Sequence, residues 1–262
     1  MVDKERLLSH LNDKEDEFKL AQVLDKVELA LTRHQPLFTN FLNPHHIYLA
    51  QPILEQIADL KFLEYGGYKR AERKRLGLMP DYYILDVVKN PIAVLNITGQ
   101  FKFQDVSHRD FLGAILGTGI KREVVGDLVL CNQGCQVIVA EEIKDYLLLN
   151  LEQVHQIGVT VNEISFEQLQ IEPERIKKIK DTVPSLRLDA VASSGFSTSR
   201  NKMSQEIEKG RVKVNWKVVE DPACSIDQED IISIRGRGRV EIDELLGKSR
   251  KGRIKLKLKR YI

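Results

Sequence analysis

The residues of this sequence best suited to chemistry are two arginines, one at the start of a short predicted helix and one projecting from a neighbouring helix. Arg187 opens the run Arg187-Leu188-Asp189, and Arg200 follows Ser199, a residue type that begins helices. The free N–H groups and the dipole of a helix N-terminus favour phosphate, and an arginine can hold one through two hydrogen bonds. The pattern predicts a phosphate-binding surface, with Asp189 as a structural partner of a nearby cation or as a helix cap.

The segments around these arginines form one small module. A helix through Val191 stops at Gly195, and a second helix begins at Ser197 or Ser199 and ends before Gly210. Short strands follow at residues 212–214, 217–219, 230–234 and 239–242, the first two paired as a hairpin across residues 215–216. Two helices and a small sheet are expected to share one core.

The order of the motifs in this module resembles the S4 RNA-binding domain. The resemblance is carried by Arg187-Leu188-Asp189, Gly195, Ser199-Arg200, Ile207, the Gly-x-Val-x-Val-Asn run from Gly210 to Asn215, and Asp230-Ile231-Ile232. It implies a basic face that binds structured RNA. The residues expected on that face are Arg187, Ser199, Arg200, Lys202, Arg211, Lys213, Lys217, Arg235, Arg237 and Arg239. One difference is Gln228-Glu229, where S4 domains often carry a glycine in the turn.

A second basic cluster lies earlier in the chain. Five of the seven residues from Lys69 to Arg75 are basic, and they follow Tyr65-Gly66-Gly67-Tyr68. Basic residues beside aromatic rings can hold phosphates and stack on bases. The alternative is a solvated turn before a charged helix. The residues expected to add binding surface are Lys69, Arg70, Arg73, Lys74, Arg75, Lys121 and Arg122.

Residues 80–170 alternate between strand-like and helix-like segments. Strands are predicted at 82–88, 92–97, 127–130, 136–139 and 159–164, and helices at 110–116 and 141–151. The order β-α-β-β-α-β is that of a ferredoxin-like, or RRM-like, sandwich. RNA-binding domains of the RRM type stack bases on aromatic residues of two central strands, and segments 127–130 and 136–139 contain none. Ordinary base stacking is therefore not expected here.

The two ends of the chain differ in character. Residues 1–62 favour helices, one ending at His34-Gln35-Pro36 and another covering 44–58, where the adjacent His45 and His46 are expected to diverge. Near the C-terminus, four basic residues from Arg253 to Lys259 alternate with three apolar ones. This alternation predicts an amphipathic strand with one basic face, the alternative being a disordered basic tail.

These patterns predict an α+β protein with four regions. They are a helical N-terminal region at 1–79, an RRM-like domain at 80–170, an S4 domain at 183–245 and a basic C-terminal extension at 246–262.

Charge is divided unevenly along the 262 residues. Residues 181–262 contain 18 Lys and Arg against 12 Asp and Glu, whereas residues 1–180 contain 22 against 26. A basic C-terminal module favours a polyanionic partner. The hydrophobic content of 42% excludes a wholly disordered chain, and no apolar run reaches the roughly 18–20 residues that cross a bilayer. Three cysteines form no disulfide framework, which favours a reducing compartment.

Further motifs are spread over residues 50–245. They are Tyr65-Gly-Gly-Tyr68 with Ala71-Glu-Arg-Lys-Arg75, His108-Arg-Asp-Phe-Leu-Gly113, Gly119-Ile-Lys-Arg-Glu123 with Gly126-Asp127, Val214-Asn-Trp-Lys217 and Ser233-Ile-Arg-Gly-Arg-Gly-Arg239. Together they resemble the YlmH family, whose photosynthetic branch is the photosystem II S4-domain protein. The resemblance implies the same arrangement of domains and RNA binding. It also implies rescue of stalled peptidyl-tRNA on the large ribosomal subunit in some members, and cell division in others.

Three patterns suggest enzymes, and none is complete. His108-Arg109-Asp110 lacks the asparagine that a kinase catalytic loop needs five residues after the aspartate, because Ile115 stands there. Gly117-Thr118-Gly119 is a lone Gly-x-Gly without the rest of a dinucleotide motif. Cys131 and Cys135 supply two of the four ligands that structural zinc needs.

A pseudouridine synthase is the remaining enzymatic alternative, because Arg187-Leu188-Asp189 followed by Ser194-Gly195 is similar to its catalytic loop. Here, however, the triplet lies inside the S4 module, and segment 80–168 is short for that catalytic domain. We therefore predict a non-catalytic protein without metal or cofactor that binds structured rRNA or tRNA. The resemblance to the YlmH family implies the large ribosomal subunit as its partner. It is expected in the cytoplasm or a plastid stroma, away from membranes. An interaction factor of division or photosystem assembly is the second alternative.

The basic module predicts that RNA affinity depends steeply on salt. Each phosphate neutralised lowers the slope of log K against log salt by about 0.7–0.9, so several contacts give a slope of several units. Filter retention of structured RNA between low and physiological salt measures this slope. A flat response would contradict the prediction.

Overall fold

The computed structural model describes residues 3–101, 106–171 and 175–261. The first two residues of the predicted N-terminal region and Ile262 of the predicted extension lie outside the described residues. The chain divides into two compact units, Met1–Ile171 and Glu172–Ile262.

The N-terminal part of the first unit combines helices with a small sheet. Its helices are α1 (Lys4–Leu8), α2 (Lys14–Arg33) and α3 (Pro44–Leu54). Its strands are β1 (Leu37–Phe38), β2 (Leu60–Tyr65) and β3 (Arg75–Pro80), in the antiparallel order β1-β3-β2. The helices confirm the prediction, and α2 ends at the left-handed His34 just before Pro36. The sequence analysis did not predict this sheet. It assigned residues 1–62 to helices, whereas β2 begins at Leu60.

The middle part of this unit has the predicted β-α-β-β-α-β order. It consists of β4 (Ile92–Gly99), α4 (His108–Gly117), β5 (Val125–Cys131), β6 (Gly134–Ala140), α5 (Lys144–Asn150), a two-residue strand β7 (Gln153–Val154) and β8 (Ile157–Ile164). The antiparallel sheet has the order β5-β6-β4-β8-β7.

The strand predicted at residues 82–88 is wrong. This segment follows β3 as a turn and contains a short 3₁₀ helix at Leu85–Val87. Tyr82, Ile84 and Val87 are each about two-thirds exposed. Strand preference reflects packing on a half-buried sheet surface, so apolar residues without such a surface do not form a strand.

Both faces of the middle sheet are covered. Helices α4 and α5 bury one face through Phe111, Ile115 and Leu147. On the other face, Phe41, Tyr65, Tyr68 and Phe166 pack against alternate residues of β4 and β6. The central strands are β4 and β6, whereas β5, which the sequence analysis treated as central, lies at the edge. The face on which RRM domains stack bases is therefore occupied by the protein's own aromatic residues.

The second unit consists of two helices packed on one six-stranded sheet. The elements are β9 (Ile176–Val183), α6 (Leu188–Gly195), α7 (Arg200–Glu208), β10 (Val212–Val214), β11 (Lys217–Val218), β12 (Ile231–Ile234), β13 (Gly238–Lys248) and β14 (Ile254–Tyr261). The sheet is antiparallel with the order β11-β10-β12-β13-β14-β9. Strand β9 precedes the predicted S4 boundary and was not anticipated.

Two of the turns of this unit place residues other than glycine at positive φ. Asn215 and Trp216, between β10 and β11, both have positive φ, as the predicted two-residue hairpin requires. Glu229 has a φ of 72° and donates its N–H to the Ile242 carbonyl at 2.8 Å. This turn thus uses the left-handed conformation that glycine adopts at least cost, although the residue is glutamate.

Strand β14 confirms the amphipathic strand predicted for the C-terminal segment. Leu256 and Leu258 are fully buried in the core beneath α6 and α7. The opposite face is less basic than expected. Lys257 is paired with Glu244, and Lys259 lies 3.1 Å from Glu241 and 2.6 Å from Asp243.

Truncation of a core residue of β14 tests this assignment. Leu256→Ala should lower the free energy of unfolding by about 2–5 kcal/mol, because it removes buried methyl groups and leaves a cavity. The neighbouring exposed Lys255→Ala is the matched control and should change stability by less than about 0.5 kcal/mol. Urea unfolding followed by circular dichroism measures both. Equal effects would mean that the segment contributes little to the core.

Candidate RNA-binding surface

A buried carboxylate holds the two arginines singled out in the sequence. Asp189, in the first turn of α6, is only 4% exposed. Its Oδ1 accepts hydrogen bonds from Arg187 Nε at 3.3 Å and from Arg200 Nη2 at 2.9 Å, and its Oδ2 accepts one from Arg187 Nη2 at 3.1 Å. The predicted structural role of Asp189 thus consists of joining the starts of two helices.

The same contacts control the charge of this site. Burial alone would raise the pKa of Asp189, but the hydrogen bonds from Arg187 and Arg200 outweigh burial and hold it below its ordinary value. Both arginine side chains remain nearly half exposed. Each guanidinium has five N–H donors, so the donors that do not bind Asp189 remain for a ligand.

The helix starts differ in what they offer an anion. Arg187 precedes α6 as its N-cap residue, and the next two backbone N–H groups donate to the carbonyls of Cys224 and Pro222 at 2.9 and 3.1 Å. Arg200 is the first residue of α7, and Ser199 caps that helix by accepting from the Lys202 N–H at 3.4 Å. The predicted Ser199 cap is correct, and only α7 fits the predicted arginine at a helix N-terminus.

The remaining basic residues of the predicted face lie on the strands and turns of the sheet. Arg211 is exposed and lies 3.3 Å from Glu206, and Lys202, Lys213 and Lys217 are exposed. The strand register places Lys213 and Arg239 on either side of Ser233, with the Arg239 guanidinium 4.8 Å from the Tyr261 ring centroid. Arg235 and Arg237 flank the turn at Gly236, which has positive φ. The structure thus separates a pair at the helix starts from a group on the sheet, and the RNA contacts of both remain predictions.

The second basic cluster is largely engaged by the protein itself. Arg73 donates from Nε to the Val125 carbonyl at 3.0 Å and from Nη2 to the Phe41 carbonyl at 3.1 Å. Arg122 donates to the Val125 and Gly126 carbonyls, and burial lowers its pKa to about 10. The Arg73 contacts join segments distant in sequence, whereas those of Arg122 are local. Both side chains are thus partly buried in the protein, and a role in binding RNA stays a prediction for them.

Two neighbouring members of the cluster are engaged in the same way. Arg75 begins β3, is buried and donates to Glu142 at 2.7 and 2.8 Å and to the Thr39 and Pro91 carbonyls at 2.7 Å. Lys74 lies 2.6 Å from Glu64. The helix considered as an alternative is absent from residues 69–75. Lys69, Arg70 and Lys121 are the exposed members of the predicted set.

Asp127 is a structural residue that the sequence analysis did not assign. Its carboxylate accepts from the backbone N–H groups of Glu72 at 2.7 Å and Arg73 at 3.1 Å, and from the Tyr68 hydroxyl at 2.9 Å. It thereby fixes the tyrosine–glycine segment against β5. The available signal was its place in the motif Gly126-Asp127.

The histidine and aspartate motifs also have structural roles. His45 and His46 do not diverge, because their Nε2 atoms lie 3.0 and 3.3 Å from the two oxygens of Asp16. Asp110 of the kinase-like triplet caps α4 together with Ser107 and lies 2.9 Å from His155 Nε2. Within the described ranges, the structure contains no group of three or more His, Cys, Asp or Glu arranged to hold a metal.

Comparison with known proteins agrees with this arrangement. Models of three domain families match successive parts of this chain. They are the YlmH N-terminal domain at residues 15–83, the YlmH RNA-binding domain at 89–168 and the S4 domain at 186–232. The ribosome-associated protein quality control protein P2 of Bacillus subtilis is 34% identical over 247 residues, which cover 94% of this chain and 96% of that protein. The chain belongs to the YlmH family.

A solved structure supports the fold. The cell division protein YlmH from Streptococcus pneumoniae matches with a TM-score of 0.53 and 22% identity, covering 62% of this chain and 98% of that one. At this identity the likeness concerns the fold alone. Among the described residues of this YlmH family member, no helix is long and apolar enough to cross a membrane.

The depressed pKa of Asp189 predicts how acid affects stability. A carboxyl whose pKa is lower in the folded state stabilises the fold above its unfolded pKa of about 3.9 and loses that contribution as pH falls. Asp189→Asn should therefore lower the free energy of unfolding at pH 7. The difference in this free energy between variant and wild type should become smaller towards pH 2. Urea unfolding at both pH values measures this, with the exposed Asp227→Asn as control. A difference that stayed constant with pH would exclude the ionised carboxylate as the stabilising group.

Proposed function

We propose that this protein is a non-catalytic RNA-binding factor that acts on structured rRNA or tRNA at the large ribosomal subunit. The observation that carries the proposal is the pair of arginines held by buried Asp189 at the starts of α6 and α7. Two half-exposed guanidinium groups fixed by one carboxylate lose little conformational freedom when they bind phosphate.

Structured RNA is the class of ligand that this surface fits best. Contacts to phosphates recognise the shape of a folded RNA rather than its base sequence. The middle domain supports this view, because its sheet face is covered by Phe41, Tyr65 and Tyr68 and offers no platform for unpaired bases. Exposed Lys69, Arg70 and Lys121 of the first unit would add phosphate contacts in this proposal.

The site of action is proposed from the relative in Bacillus subtilis, whose name describes ribosome-associated protein quality control. Similarity extends over nearly the whole of both chains, so both RNA-binding modules of this chain lie within the aligned region. We extend ribosome association to this chain and, with it, action on peptidyl-tRNA stalled on the large subunit.

The geometry disfavours a pseudouridine-synthase reaction at Asp189. Its carboxylate is 4% exposed and both of its oxygens bind arginines, which leaves little room for a base to approach. A structural bridge between helices accounts for every side-chain hydrogen bond of this residue that the structure describes. A role in division or photosystem assembly has no corresponding observation among those residues.

Neutralising the helix-terminal arginines should weaken RNA binding. Arg200→Gln and Arg187→Gln each remove a phosphate contact, so the salt slope should fall by about one unit and affinity by roughly tenfold at low salt. Glutamine is chosen over glutamate because it does not place a second carboxylate against Asp189. Filter retention with rRNA and co-sedimentation with ribosomal subunits measure the effect.

Lys255→Gln is the matched control, because Lys255 is an exposed cation of the same unit on β14. Circular dichroism confirms that each variant is folded. Equal losses for Arg200→Gln and Lys255→Gln would indicate diffuse electrostatic attraction rather than a defined site. A modified nucleoside that wild type forms on rRNA or tRNA and Asp189→Asn does not would overturn the non-catalytic assignment.

A further inference from the structure

A cavity of about 520 Å³ lies in the first unit and is lined by residues of that unit. One wall is the face of α2 that carries Lys19 and Lys26, and another is residues 39–43 of the segment before α3. The third contains Arg73 with Arg122 and Glu123 of the 3₁₀ turn that precedes β5. The volume falls within the range of small-molecule sites in proteins.

Among the residues that the structure describes, three cationic side chains at this cavity donate hydrogen bonds to backbone carbonyl oxygens, which are neutral acceptors. Lys26 Nζ donates to the Phe38 carbonyl at 2.6 Å, and the side chains of Arg73 and Arg122 donate to the carbonyls described above. A carbonyl oxygen satisfies a donor but carries no formal charge. The nearby carboxylates act on these cations through space rather than by a side-chain hydrogen bond: Asp127 and Glu123 on Arg73, Asp127 on Arg122 and Glu142 on Lys26. Burial lowers the pKa of Lys26 and of Arg73, which reflects the cost of holding these charges away from water.

The acidic residues of the lining are mostly committed elsewhere. Glu123 is paired with Lys19, and Asp25 lies 2.7 Å from Lys4, which is outside the cavity. Glu15 remains at the rim, where it is exposed. The lining has four cations, Lys19, Lys26, Arg73 and Arg122, against the carboxylates of Glu15, Asp25 and Glu123. Because Asp25 is paired with Lys4, this small surplus of positive charge faces a space that a ligand can enter.

We propose that this cavity binds the phosphate group of a nucleotide-sized ligand. Lys26 and the two arginines would hold the phosphate, and the cavity has room for the attached nucleoside. The same chemistry is offered by a free nucleoside monophosphate and by the 5′-phosphate end of an RNA. The site does not depend on the arginines of α6 and α7, so it stands or falls separately from the proposed function.

The test uses the full chain and isothermal titration with AMP, GMP, CMP and UMP, each compared with its unphosphorylated nucleoside. A monophosphate should bind and its nucleoside should not. Lys26→Gln should weaken binding by about tenfold or more, because a charged hydrogen bond is lost. Lys26→Arg should preserve binding. Lys14→Gln is the matched control, since Lys14 is an exposed lysine in the first turn of α2, outside the cavity.

The His46 imidazole reports binding at this place, because His46 lines the cavity. Burial lowers its pKa against the opposing effect of Asp16 and Glu15, while His45 and Lys19 lower it further. A phosphate nearby stabilises the imidazolium, so saturation with AMP should raise the pKa seen by nuclear magnetic resonance. The Arg200→Gln variant should show the same change, which distinguishes binding in the cavity from binding at Arg187 and Arg200.

Competition identifies the source of the phosphate. Displacement of AMP by a 5′-phosphorylated RNA oligonucleotide, but not by its 5′-hydroxyl counterpart, assigns the site to RNA ends. Displacement by neither oligonucleotide assigns it to free nucleotides. The proposal is overturned if no monophosphate shifts the His46 resonance, or if Lys26→Gln, folded by circular dichroism, binds as well as Lys14→Gln.

Discussion

A carboxylate that stays ionised away from water needs partners that replace its hydration, and Asp189 obtains them from two arginines. This contact determines the directions of Arg187 and Arg200 and links the start of α6 to the start of α7. The connection between the two helix starts and the proposed binding surface therefore depend on one interaction. Loss of either arginine leaves a buried charge with fewer donors, so binding and stability at these positions are coupled.

In the first unit too, charged side chains are bound to other parts of the protein and hold distant segments together. Its middle sheet is covered on both faces, and the segment that covers the second face is fixed by Asp127 and by arginines bound to carbonyl oxygens. In the part of this domain that the structure describes, both faces of the sheet are occupied by the protein's own side chains and are not open to stacked bases. Nucleic acid could reach it only through loops and edges, which favours recognition of backbone and shape.

The sequence predicted elements whose signals are local. Helix α2 follows from its apolar period, and the β10–β11 hairpin follows from its two turn residues. The roles of Arg73 and Arg75 could not be predicted, because their partners include backbone carbonyls, which have no sequence signature. The same holds for the failed strand at 82–88, since strand formation depends on a neighbouring surface that composition does not reveal. Arg200 was predicted at a helix start because a serine cap precedes it in sequence, and Arg187 was found through the Arg187-Leu188-Asp189 motif.

Strand β14 lies between β13 and β9, and this position has a consequence for folding. β13 and β14 are neighbours in sequence, whereas β9 pairs only with β14, across roughly 70 to 85 residues of chain. During synthesis β9 must wait unpaired until β14 has emerged, and an unpaired strand invites association with other chains. Lys177, Lys178 and Lys180 are exposed along β9. Their mutual repulsion between nascent chains would protect the strand during that interval.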